Sequence, residues 1–142
     1  MVELDADTSA GRQYRVLIAD DDKASRVLVR TMLADLGPKL TTLEVSCGQA
    51  ALAAVDAYHP DLILLDILMP DVDGISICTE LRKRPETRNT RILMVTARRD
   101  ERMIRAGLLA GADDYLTKPF SKEQLLDHVR RLLPPEAPTK PA

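Results

Sequence analysis

The chain has 142 residues, a formal net charge of -2, 45% hydrophobic and 30% charged residues, a composition suited to one globular domain with its own core. So small a net charge gives no general attraction for nucleic acid or an anionic membrane, and 3% aromatics without tryptophan leave no platform for stacking bases. Cys47 and Cys78 lack metal-ligand spacing and are expected to be small buried hydrophobes. No apolar run approaches the ~20 residues of a membrane span. The acidic start MVELDADTSAGRQ lacks a signal peptide's basic and apolar regions, and the expected location is the cytoplasm.

Residues 1–13 show no apolar period and are expected to form a flexible tail. Val16-Leu17-Ile18-Ala19 is a short, wholly apolar run that ends in Asp20, Asp21 and Asp22, the pattern of a strand buried on both faces. Ala24, Val27, Leu28, Met32 and Leu36 then recur at helical steps, and Gly37-Pro38 stops that helix. Residues 41–45 suit a strand, and the Ala-rich run 50–55 suits a helix ending near His59-Pro60. Leu62-Ile63-Leu64-Leu65 is the most apolar run and leads into Asp66, and 69–74 is rich in turn formers. A helix through Ile75, Ile77, Cys78 and Leu81, a polar connection at 84–89, and the strand Ile92-Leu93-Met94-Val95 ending at Thr96 follow. A helix of mixed charge spans about 100 to 110, and a short strand, Tyr115-Leu116-Thr117, leads to Lys118-Pro119. Ser121 with Gln124 forms a capping box for a last helix carrying Leu125, Leu126, Val129, Leu132 and Leu133. The stretch 134–142 is Pro-rich, as a tail or linker stub would be.

Five strands alternating with five helices imply an α/β fold: a doubly wound parallel sheet, flavodoxin-like, of order 2-1-3-4-5. Every strand of such a sheet ends on the same edge, so Asp20, Asp21, Asp66, Thr96 and Lys118 gather there, with the first and third strands adjacent. Crowded carboxylates need a cation or a shared proton. Oxygen ligands with room for water suit Mg2+ or Mn2+. A carboxylate can attack a phosphoryl group to form an acyl phosphate, with a metal and Lys118 neutralising the phosphoryl oxygens and Thr96 donating to one. Such transfer depends on positioning and charge and needs no further base. Taken singly, each residue has a plainer reading: helix cap, strand terminus or surface lysine. Their joint arrival from four strand ends is what favours chemistry.

The motifs VLIADDD at 16–22, DLILLDILMPDVDG at 61–74, ILMVTA at 92–97 and AGADDYLTKPF at 110–120 resemble those of the response-regulator receiver domains of two-component signalling, over residues 14–133. The resemblance implies that Asp66 is the phosphorylated aspartate and that the chain is a signalling domain, not an enzyme. It implies Asp20 and Asp21 as the acidic pair, with Asp21 the more direct Mg2+ ligand, and the backbone carbonyl of Leu68 as a further ligand. Thr96 and Tyr115 correspond to the switch pair, Tyr115 turning inward as Thr96 engages phosphate. Lys118 corresponds to the conserved lysine, whose bond to Pro119 is typically cis. The implied partners are a sensor histidine kinase or histidine phosphotransfer protein, with no nucleic acid or membrane bound directly. The face of the fourth helix, fifth strand and fifth helix, rich in charges such as Arg98, Arg102, Arg105, Asp114, Lys122 and Asp127, is either merely solvated or a homodimer surface.

Other readings fit less well. A Mg2+-dependent phosphatase with an aspartate nucleophile would want a second Asp two residues on, where Leu68 stands. A nucleotide- or flavin-binding domain would want a glycine-rich first turn in place of Asp20-Asp21-Asp22-Lys23. Asp71-Val72-Asp73-Gly74 lacks the rest of a calcium loop.

Overall fold

Strands and helices alternate through the whole of the computed structural model, which describes residues 12–134. They are β1 (Tyr14–Ala19), α1 (Lys23–Leu33), β2 (Leu40–Val45), α2 (Gly48–Tyr58), β3 (Leu62–Leu65), α3 (Gly74–Lys83), β4 (Arg91–Thr96), α4 (Glu101–Leu109), β5 (Asp114–Thr117) and α5 (Lys122–Leu132). The five strands form one parallel sheet of order β2-β1-β3-β4-β5, the expected doubly wound arrangement. The terminal tails expected at 1–13 and 134–142 lie outside the described residues except at 12, 13 and 134.

The apolar runs are continuous because both faces of the sheet are covered. Ile63 and Leu65 of β3 pack with Ala51 and Val55 of α2 and Ile77 and Leu81 of α3. Leu62 and Leu64 point the other way, toward Val29 and Leu33 of α1 and Leu125 and Val129 of α5. No residue of β3 is more than 2% exposed, so each side chain contributes about 1.5–3 kcal/mol of hydrophobic stabilisation. This double burial fixes β3 at the centre of the sheet and its C-terminal residue at the central exit.

Helix ends follow local capping. Ser121 and Gln124 form the expected capping box of α5. Asp22, in the acidic run whose plainer reading was a cap for this helix, caps α1 by accepting from Ser25 N. That helix ends at Leu33, three residues before the expected end, and a 3-10 turn, Ala34–Leu36, leads to Gly37 at φ 91, a conformation glycine adopts freely. The α2 helix begins at Gly48, ahead of the expected alanine run, because the Cys47 sulfur accepts from Ala50 N at 3.4 Å. Cys47 is therefore a half-buried cap, and only Cys78 is the expected buried hydrophobe, its thiol pushed up to about 11 by burial.

Candidate functional site

The register of the sheet sets which side chains meet. Ala19 of β1 pairs with Leu65 of β3, and Asp66 N donates to Ala19 O at 3.0 Å, so Asp20 and Asp66 leave the sheet side by side. Thr96 of β4 pairs with Thr117 of β5, and Lys118 N donates to Thr96 O at 2.8 Å. The lysine thus enters the same edge from the far side.

Lys118 links the acidic groups. Its Nζ donates to Asp20 Oδ2 at 2.7 Å, to Asp66 Oδ2 at 3.0 Å and to Ser25 Oγ at 3.2 Å. Asp20 and Asp66 are each only 5% exposed. Their other oxygens accept backbone amides: Asp22 N on Asp20 Oδ1 at 2.9 Å and Leu68 N on Asp66 Oδ1 at 3.1 Å. Asp21 is exposed, yet a carboxylate oxygen from each of Asp20, Asp21 and Asp66 lies within 4.8 Å of the others. Among the described residues this is the one acidic cluster close enough to hold a cation.

Electrostatics agree with that geometry. Two buried carboxylates share one ammonium, which leaves the pair with an excess of negative charge. Burial, assisted by repulsion from Asp66, holds the Asp20 carboxyl above its ordinary value despite the hydrogen bonds from Lys118 and the Asp22 amide. Burial pulls the Lys118 ammonium the other way, but its bonds to Asp20 and Asp66 outweigh that and raise it. Lys118 therefore stays protonated, and the excess charge calls for a further cation. An all-oxygen donor set with one exposed carboxylate fits a hard divalent ion such as Mg2+ or Mn2+.

Thr96 is fully buried, and its Oγ1 accepts a long 3.4 Å bond from Arg98 N, which leaves the hydroxyl proton available. Tyr115 is half-buried, and its hydroxyl donates to Arg98 O at 2.7 Å, with Gly107 beside the ring. The Leu68 side chain is 48% exposed, and the Lys118–Pro119 bond is cis. The edge thus brings together Asp20, Asp21, Asp66 and Lys118. Thr96 joins it through its carbonyl, which accepts Lys118 N, and the backbone of Arg98 links Thr96 in turn to Tyr115.

Sequence reasoning missed three contributors. Ser25 adds a third acceptor to Lys118, Arg26 Nη1 donates to Asp20 O at 2.7 Å, and Arg99 Nη2 donates to Lys118 O at 2.5 Å. All three contacts depend on folded geometry and left no signal in the sequence.

Comparison with known proteins gives one consistent answer. The model of the response regulator receiver domain matches residues 16–130. The chain is 39% identical over 119 residues to the phosphate regulon transcriptional regulatory protein PhoB of Rhizobium meliloti (strain 1021), covering 84% of this chain and 52% of that protein. It is 40% identical over 132 residues to the response regulator MprA of Mycobacterium sp. (strain KMS), covering 90% of this chain and 56% of that one. The chain thus spans about half the length of these curated relatives. Among solved structures, the BeF3-activated DrrB receiver domain superposes with a TM-score of 0.74 at 33% identity, covering 84% of this chain and 97% of that chain.

Proposed function

The chain belongs to the response regulator receiver domain family, the phospho-acceptors of two-component signalling, and we propose that Asp66 is its phospho-acceptor, held ready by Lys118 and by a divalent cation on Asp20, Asp21 and the Leu68 carbonyl. The observation that carries this reading is the buried Asp66 carboxylate, 3.0 Å from a lysine that it shares with Asp20. The receiver unit is taken as residues 14–133. It works as a signalling domain and promotes only its own phosphorylation and dephosphorylation.

An Asp66 oxygen attacks phosphorus, the new P–O bond forms, and the bond from phosphorus to the donor breaks. The leaving group departs with that electron pair, a histidine nitrogen when the donor is a sensor histidine kinase or a histidine phosphotransfer protein. When bound, Mg2+ or Mn2+ neutralises charge on the phosphoryl oxygens. The Lys118 ammonium does the same from within the protein, and the Thr96 hydroxyl donates to an incoming oxygen. Drawing Thr96 toward the phosphoryl group pulls on Arg98, whose amide it accepts and whose carbonyl holds Tyr115. The modification is thereby passed to the face of α4, β5 and α5. That face carries the Asp127–Arg131 pair and Asp114 beside Arg131, charges suited to pairing across a homodimer; Lys122 is already engaged by Asp35. No described helix is long and apolar enough to cross a membrane, and the proposed setting is the cytoplasm.

Incubation with a small-molecule phosphodonor tests the reading. Intact mass is expected to rise by one phosphoryl group with Mg2+ present and to stay unchanged without the metal; labelling that ignores the metal would reject the ligand assignment. The reverse reaction bears on Leu68. Its side chain has no polar atom to orient an attacking water, so the acyl phosphate should be long-lived. Leu68→Asn is expected to speed its hydrolysis roughly tenfold, about the value of one hydrogen bond in the transition state. An unchanged decay rate would show that Leu68 does not set the lifetime.

A further inference from the structure

The loop from Asp66 to Asp73 carries the Leu68 carbonyl that the proposed function assigns to the cation. Both of its ends are tied locally. Leu68 N donates to Asp66 Oδ1, while Gly74 N donates to Ile67 O at 3.0 Å and Asp73 caps α3 through Ser76 N. In the middle, Asp71 reaches away from the loop to another element. Its Oδ1 accepts Gly48 N at 2.7 Å and its Oδ2 accepts Gln49 N at 2.9 Å. These are the first two amides of α2, donors that a helix leaves unsatisfied at its positive end. The amides of Gln49 and Gly48 hold the Asp71 carboxyl down to about 2, so it is ionised throughout the physiological range. The fit is also close sterically. A Cβ on Gly48 would lie 2.6 Å from Val72 O and 2.7 Å from Val72 Cβ, so the loop rests on α2 where only glycine leaves room.

We propose that Asp71 is a positioning residue for the metal site: by clamping the middle of this loop onto the start of α2, it fixes the Leu68 peptide, whose amide orients Asp66 and whose carbonyl would hold the cation. The inference rests on the metal assignment of the proposed function. It adds that α2, which supplies no ligand, helps set the affinity of the site. Without the clamp, the segment between Leu68 and Gly74 keeps its local ties and the packing of Met69 and Val72 on the core, but loses its polar hold on α2, and more of the ordering of the Leu68 carbonyl falls to the moment the metal binds.

Mn2+ titration of the full chain, read by electron paramagnetic resonance of the free ion, tests this apart from any phosphoryl chemistry. Asp71→Ala is expected to weaken Mn2+ binding about tenfold, as loss of an outer-shell support does. Asp71→Asn keeps one acceptor oxygen and should lose less. Gly48→Ala leaves Asp71 in place but displaces Val72, and it should weaken binding too. Urea unfolding without metal, run in parallel, reports the purely structural effect and confirms that each variant folds; if Asp71→Ala does not fold, Asp71→Asn and Gly48→Ala carry the comparison. Wild-type Mn2+ affinity in the folded Asp71 variants overturns the proposal, whatever happens to their urea midpoints, because the clamp then serves folding alone. Failure of the wild-type chain to bind Mn2+ would overturn the metal assignment itself, a result distinguishable from the first.

Discussion

Replacing Lys118 by methionine is expected to slow phosphoryl transfer to Asp66 by about 10²–10³, the usual loss when one preorganised electrostatic donor is removed. Methionine has similar length without the charge, so the change isolates the ammonium. In the native chain that ammonium lies 2.7 Å from Asp20 and 3.0 Å from Asp66, and no other lysine or arginine side chain forms an ion pair with either carboxylate among the described residues. Its removal leaves two buried carboxylates facing each other. Breaking a buried pair in this way costs about 3–5 kcal/mol when the remaining charge stays ionised. The real loss is set by how easily that charge is relieved.

Two forms of relief give the prediction its signs. Bound Mg2+ stabilises the native state by mass action, about 2.7 kcal/mol at a hundredfold excess over its Kd, so the destabilisation should be largest with chelator present. Protons act similarly. The Asp20 carboxyl is raised by burial even in the wild type, so the native state holds a proton more tightly than the unfolded chain does. This group therefore costs stability at neutral pH, and the cost disappears as pH falls below the ordinary value of 3.8. Lys118 has the opposite role: raised in the native state, it stabilises below its ordinary value and loses that effect only as pH rises through the native value. Without Lys118 the Asp20 cost grows, and the gap between variant and wild type in urea should narrow on mild acidification. A gap that widens toward acid would contradict the charge account of this edge.

Gly74→Ala should destabilise the fold by about 1–3 kcal/mol, as overpacking does, and reduce phosphorylation with it. Helix propensity alone predicts the reverse, since alanine is about 1 kcal/mol better than glycine inside a helix. The reason for the inversion lies at the start of α3. A Cβ on Gly74 would press against the backbone oxygen of Asp66, and would lie 3.0 Å from Asp66 C and 3.0 Å from Ile67 Cα. All three atoms are backbone, so no side chain can rotate away, and either α3 or the Asp66–Ile67 peptide must shift. Gly107→Ala in α4 is the matched control. There the nearest atom is Tyr115 Cε2 at 3.4 Å, an ordinary contact, so the substitution should be tolerated. Paired urea unfolding curves decide the matter; equal behaviour of the two variants would show that the approach of Gly74 to Asp66 is not tight.

The contrast between these glycines also shows where the sequence was informative. Strand order and the central place of β3 were legible because four consecutive apolar residues are stable only between two helical layers, and each such run ends in a polar group. Once the strands are parallel, Asp20, Asp66, Thr96 and Lys118 must share an edge, so most of the candidate site could be read from its period and its punctuation. The hydroxyl of Ser25 on Lys118, the sulfur cap of Cys47 and the grip of Asp71 on α2 were not legible. Each depends on where a loop returns in space or on a residue type with little capping preference, and neither leaves a periodic trace. The same holds for Arg82, whose guanidinium donates to Thr87 O, Arg88 O, Thr90 O and Gly111 O and pairs with Asp113. That side chain ties the polar connection after α3 to the loop before β5. The half-buried setting of Tyr115, with its hydroxyl already on Arg98 O, likewise left no trace in the sequence.

Asp66 is proposed to receive the phosphoryl group, and intact mass after incubation with a small-molecule phosphodonor and Mg2+, wild type beside Asp66→Ala, decides it. The wild-type chain should gain one phosphoryl group and the variant none; labelling of Asp66→Ala to the wild-type extent would contradict the account.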